Sequence, residues 1–132
     1  MRIEELSIGD WVRHTFYEEN VQIARIDGDS ERVLTERGKL SISCHLNHFE
    51  PIPLTSEILE KNGLMRVSEE EGYEAYCCND FLIRRSKFSC TDWWQVDVHY
   101  KQYVAHLSGY IQYVHQLQHL LTINECDKKI EL

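Results

Sequence analysis

Two histidines four residues apart, His115 and His119, are the residues whose type and spacing come closest to chemistry in this chain. On a helix that spacing puts both imidazoles on one face, the start of many zinc sites. A zinc peptidase of the H-E-x-x-H kind needs a glutamate directly after the first histidine, to activate the metal-bound water. Gln116 stands at that position, and an amide cannot take up a proton. A zinc site also needs three or four converging ligands. The other candidates, Cys44, His45 and His48, lie in the opposite half of the chain, and nothing in the sequence brings them to the histidine pair. The expected reading is a solvated helix face. A metal-dependent enzyme using His115 and His119 is the minor alternative.

No G-x-S-x-G elbow, Walker-type P-loop or dinucleotide G-x-G-x-x-G occurs, so nucleotide-dependent chemistry has no support. Five cysteines and seven histidines permit cysteine–histidine pairing by composition alone, which is weak evidence. Carboxylates gather in runs such as Glu69–Glu71, where solvent and mutual repulsion are the ordinary reading. The chain is therefore expected not to be an enzyme, and it implies no cofactor.

Aromatic residues give the better lead. Tryptophan and tyrosine bury large area at little rotamer cost and are favoured in interface hot spots. The clearest strand pattern runs from Trp93 to Lys101. Trp94, Val96, Val98 and Tyr100 fall on one side, and Trp93, Gln95, Asp97, His99 and Lys101 on the other. Trp93, Gln95, Asp97 and His99 are thus candidate contacts for a protein partner, unless the outer face of this sheet packs on the rest of the chain and hides Trp93.

Further elements must position these residues. Residues 6–53 hold short strand-like runs at Ile8–Arg13, Val21–Ile26, Arg32–Thr35 and Lys39–Ser43, with a turn at Asp27-Gly28-Asp29-Ser30. Four or five antiparallel strands in about fifty residues suit a small SH3-like barrel. Pro51-Ile52-Pro53 holds the chain extended, and a helix capped by Thr55 and stopped at Gly63 follows. Beyond it, Leu64–Ser68, Tyr73–Cys78, Phe81–Arg85, Trp93–Lys101 and Tyr103–Leu107 read as strands. Gly109 is expected to lead into a last helix, whose apolar stripe of Tyr110, Tyr113, Val114, Leu117, Leu120 and Leu121 spans an arc of roughly 120°. On that wheel His115 and His119 point outward. Ile130 and Leu132 are expected to dock the tail as a short strand.

The fold class is α+β, in three parts: an SH3-like β-barrel over residues 1–53, a connecting helix over 54–63, and an antiparallel meander covered by one C-terminal helix over 64–132. At 132 residues and 42% hydrophobic content the chain can bury a real core. No apolar run nears the ~20 residues that span a bilayer, and the acidic start lacks the pattern of a signal peptide. Cys44, Cys77, Cys78, Cys90 and Cys126 are odd in number with no C-x-x-C pair, which suits reduced thiols and a cytoplasmic address.

The net charge is −8, with 7 basic and 12 acidic residues up to position 63 and 7 and 10 beyond it. Both halves would repel phosphate backbones and anionic lipid. Nucleic-acid binding through the barrel is the alternative to a protein partner, with this charge against it; a metal-dependent enzyme using His115 and His119 is the second alternative, and a homo-oligomer is compatible with the sequence.

Three blocks carry a resemblance. They are Leu6-Ser7-Ile8-Gly9-Asp10-Trp11-Val12, the stretch Glu50–Gly63, and Tyr113–Leu121 followed by Asp127–Leu132. In these the chain resembles a family of small uncharacterised proteins of Bacteroidetes-type bacteria, often encoded in prophages or conjugative elements. The resemblance implies Glu at the position of Gln116 and Asn at that of His119, so both are departures and a shared two-histidine site is not expected. It brings no activity, cofactor or catalytic residue. It implies an α+β protein of mobile-element origin and leaves function open; the aromatic residues make a non-enzymatic protein-interaction or accessory module of such an element the leading expectation.

Overall fold

A computed structural model describes residues 1–37, 40–67, 72–78, 81–86, 93–99, 106–123 and 128–132. The protein is α+β, with two five-stranded antiparallel sheets, one short helix and one longer one. It divides into two compact units. The first holds Met1–Ile52, Tyr113–His119 and Leu132; the second holds Pro53–Gln112 and Leu120–Glu131.

In the first unit, β1 (Trp11–His14), β2 (Glu19–Asp27), β3 (Arg32–Arg37), β4 (Leu40–His45) and β5 (Phe49–Pro51) lie in the order β4-β3-β2-β1-β5. Alternation along β1 and β2 turns Val12, Val21 and Ile23 inward. They close a core with Ile3, Leu6, Val33, Leu46 and Phe49. The register slips between Ile23 and Arg25, a bulge that bends β2 between its two neighbours. A single 3-10 turn, Leu46–His48, joins β4 to β5. The expected first strand began at Ile8; it begins instead at Trp11, because Gly9 takes a φ of +93° and breaks the extended run. No sheet closed into a barrel is detected: β4 and β5 stand at the two ends of the strand order.

In the second unit, α1 (Ser56–Lys61) begins at the expected cap, with the Thr55 hydroxyl accepting from the Ile58 amide. Gly63 follows with positive φ, as a helix stop requires. The sheet runs β10 (His106–Ile111), β9 (Trp94–His99), β8 (Phe81–Ser86), β7 (Tyr73–Cys78), β6 (Met65–Arg66). One face buries Tyr76, Ile83, Trp94 and Val96. Trp94 donates its indole N–H to the Leu54 carbonyl at 3.0 Å, and Arg85 lies 4.3 Å over its ring. Tyr76 donates to Glu60 at 2.8 Å, tying β7 to the helix residue. Asn62 holds the tail by donating to the Glu131 carbonyl and accepting from the Glu131 amide. Ile130 is buried beside it in the chain, without forming a strand.

Two expectations near the C-terminus are corrected. Gly109 does not open the helix; it sits inside β10 opposite Val96, and α2 runs from Val114 to Ile123. Tyr110 consequently belongs to a strand, paired with Gln95, and not to the helix stripe. A glycine in a sheet needs no positive φ, so its presence alone did not mark an element boundary. The expected turn near Lys101-Gln102, the start of the Tyr103–Leu107 strand and the loops at Glu69–Glu71 and Asn79-Asp80 lie outside the described residues.

Candidate functional site

The helix wheel is only half right about α2. Val114, Leu117 and Leu121 are fully buried, as the stripe demands, yet His115 is also buried, at 3% exposure. His119 is half-buried. The expectation of two solvated imidazoles is overturned by what the first unit places against that face. Gly9-Asp10-Trp11, at the start of β1, receives the side chains of Gln118 and His119. Gln118 accepts from the Trp11 amide at 2.9 Å and donates to the Gly9 carbonyl at 3.0 Å. A wheel counts apolar residues only, and here a second, polar face is packed, with Gln118 and His119 held by hydrogen bonds.

Asp10 is the centre of this arrangement. Its carboxylate is buried, accepts from the Ser7 amide at 2.8 Å and meets His119 Nε2 at 2.8 Å. A carboxylate only accepts, so Nε2 is the protonated nitrogen of His119. The His119 ring stands edge-on to His115, centroids 5.9 Å apart, and His115 lies parallel to Tyr113 at the same separation. Burial pushes the His115 imidazole below its ordinary value, against the opposing pull of Asp10. His115 Nδ1 is buried with no hydrogen-bond partner among the described residues.

An aspartate-held histidine is the orienting half of a catalytic triad, but a triad needs a nucleophile at the other ring nitrogen. The contacts seen for His119 are Asp10 and the His115 ring, and neither attacks anything. Nor does a metal site assemble. The Nε2 of His119 is taken up by Asp10, and among the described residues no group of three His, Cys, Asp or Glu could hold an ion. Geometry makes Asp10, Gln118 and His119 a polar clamp that fastens the start of β1 to α2. No local signal in the sequence announces it, since Asp10 and His119 are 109 positions apart.

The second set of candidates also disperses. His45 pairs with Glu31 at 3.6 Å, and His48 stacks on His14. Cys44 Sγ lies 3.5 Å from His14 Nε2, which is the cysteine–histidine pairing that composition permits. His14 Nδ1 accepts from the amides of Phe16 and Tyr17 at 3.2 and 3.3 Å. The proton of the neutral ring is therefore on Nε2 and points at sulfur. A ring in that state has no lone pair with which to take the thiol proton, so it is no general base for Cys44. Cys77 and Cys78 point to opposite faces of β7, the first half-buried and the second buried, and both are free thiols.

Of the proposed contact residues, Gln95 and Asp97 share the outer face of the second sheet. Trp93 is 46% exposed, immediately before β9. Gln95 and Asp97 are half-buried on one face of β9. Arg84, across from Gln95 on β8, donates to it at 3.3 Å and lies 3.8 Å from Asp97. Tyr110, which sequence reasoning assigned to the helix, continues this row on β10 opposite Gln95 and is 67% exposed. Exposed Tyr73 flanks it, with the Arg84 guanidinium 5.9 Å from its ring. His99 falls in β9, and its side chain lies outside the described residues. No protein-family model, curated protein or solved structure matches the chain.

Proposed function

We propose that the chain is a non-enzymatic interaction module that binds a protein partner through the outer face of its second sheet. The observation that carries this is the exposed aromatic set of Tyr73, Trp93 and Tyr110 around a fixed polar row of Arg84, Gln95 and Asp97. Aromatics of that size cost free energy in water, and the backbone of Tyr73 and Tyr110 is already ordered on paired strands, so a partner that covers those two loses little entropy on binding. The bridged Arg84 supplies a satisfied polar neighbour and not a naked charge.

The first unit is read as an SH3-like, incompletely closed barrel. Support comes from its strand order, with β5 returning beside β1, and from the 3-10 turn between β4 and β5. The resemblance supports a mobile-element origin, and the free thiols Cys44, Cys77 and Cys78 support a cytoplasmic address. Among the described residues no helix is long and apolar enough to cross a membrane.

The test is a pair of variants, Trp93→Ala and Tyr110→Ala, carried through thermal unfolding and quantitative affinity capture, with the captured protein then purified and titrated. Unchanged melting with weakened binding to that one partner supports the proposal. A fall in melting temperature with partner binding intact assigns these rings to folding and removes it.

A further inference from the structure

The β1–β2 turn displays a second aromatic surface, in the other unit. Phe16 is 78% exposed at its tip, and the ring of Tyr17 meets it edge-on with centroids 5.1 Å apart. Tyr17 packs in turn on His14 at 4.7 Å, and His14 on the core residue Phe49 at 5.0 Å. A chain of rings therefore runs from the core to the solvent. Backbone bonds fix the same turn. His14 Nδ1 holds the amides of both Phe16 and Tyr17, and Thr15 donates twice to the His48 carbonyl, from its amide at 2.9 Å and its hydroxyl at 3.1 Å. Glu18 closes the turn at a φ of +51°, a costly conformation for a residue with a side chain.

A loop that spends three hydrogen-bonded anchors and a left-handed glutamate to hold a phenylalanine in water is organised in advance for an occupant. Charge decides which one. Glu18 and Glu19 follow the two rings, Glu18 exposed and Glu19 half-buried, on a unit whose acidic residues outnumber its basic ones and a chain of net charge −8. Ring faces attract guanidinium and ammonium groups, and adjacent carboxylates strengthen the attraction while repelling anionic partners.

We propose that the Phe16–Tyr17 tip, with Glu18 and Glu19, is a docking point for an arginine- and lysine-rich segment of a partner protein. The proposal rests on the reading of the chain as an interaction module, but uses a surface distinct from the outer face of the second sheet.

The probe is a fluorescein-labelled peptide alternating arginine with glycine, titrated by anisotropy, beside the same peptide with glutamate for arginine. Wild-type protein binds the arginine peptide and not the glutamate one. Phe16→Ala weakens binding by about tenfold, with an unchanged melting temperature because the ring is exposed. Glu18→Gln weakens it by about threefold at low salt. Trp93→Ala leaves the peptide affinity as it was. No binding up to about 1 mM peptide, equal affinity for both peptides, or an unaltered Phe16→Ala variant overturns the proposal. A Trp93→Ala protein that keeps its captured partner instead sinks only the outer-face reading.

Discussion

A buried carboxylate is the costliest single residue in the first unit unless it is answered, and Asp10 is answered by His119 and the Ser7 amide. Replacing His119 with alanine leaves that carboxylate one partner short, with an expected cost of about 1–3 kcal/mol measurable by urea unfolding. Gln118→Ala should cost less, because the groups it serves are a backbone amide and a carbonyl near the surface. His115 carries a pH signature. Its folded-state value is depressed by burial below the ordinary 6.5, so the unfolded chain binds the proton first. Stability from this group is present above about pH 6.5 and lost as pH falls below it. Unfolding free energies from pH 8 to 5 should therefore fall more steeply in the wild type than in His115→Gln. Parallel curves would show that the ring is not desolvated as described.

At the scale of elements, the cap of α1 and its tie to β7 make separate predictions. Thr55→Ala removes the bond to the Ile58 amide and should cost about 1 kcal/mol. Tyr76→Phe removes the bond to Glu60. Burial and that carboxylate push the Tyr76 phenol up to about 12, so its stabilisation is full below the unfolded value near 10 and is lost as pH climbs towards 12. An alkaline absorbance titration should show a tyrosine step near pH 12, and the phenylalanine variant should lack it.

What the sequence could supply at this scale follows from period and punctuation. Alternation placed Val21 and Ile23 inward in β2 and Trp94 and Val96 inward in β9, and the Thr55 and Gly63 signals bracketed α1. Gly109 misled, because the same residue serves a strand centre and a helix start, and the true break came at Gln112, after Ile111. Of the candidate sites, the exposed position of Trp93 followed from alternation about β9. Asp10 did not, since its role depends on a residue far along the chain. The polar face of α2 was misread as solvent because a hydrophobic wheel gives no weight to hydrogen-bonded packing.

For the whole molecule, the described histidine pairs, Asp10–His119 and His14–Cys44, hold elements together, while Tyr73, Trp93 and Tyr110 stay exposed. Among the described residues the contacts of His119 are Asp10 and the His115 ring, and the two amides on His14 Nδ1 favour the tautomer with its proton on Nε2, towards Cys44. Metal added to purified, tag-free protein should not raise its melting temperature, since a ligand that binds the native state must stabilise it. A rise saturating at one zinc per chain would return the metal-dependent alternative to the front. The charge of −8 makes a prediction as well. Duplex DNA should not bind at moderate salt, and an affinity that collapses steeply with added salt would instead mark a phosphate contact.

The most direct measurement of the central claim is the affinity of the purified partner for wild-type and Trp93→Ala protein, read beside their melting temperatures. The account expects equal melting and an affinity lower by about tenfold or more, the usual scale of a tryptophan hot spot. Equal affinity with a lowered melting temperature would contradict it, and would make Trp93 part of the folded interior.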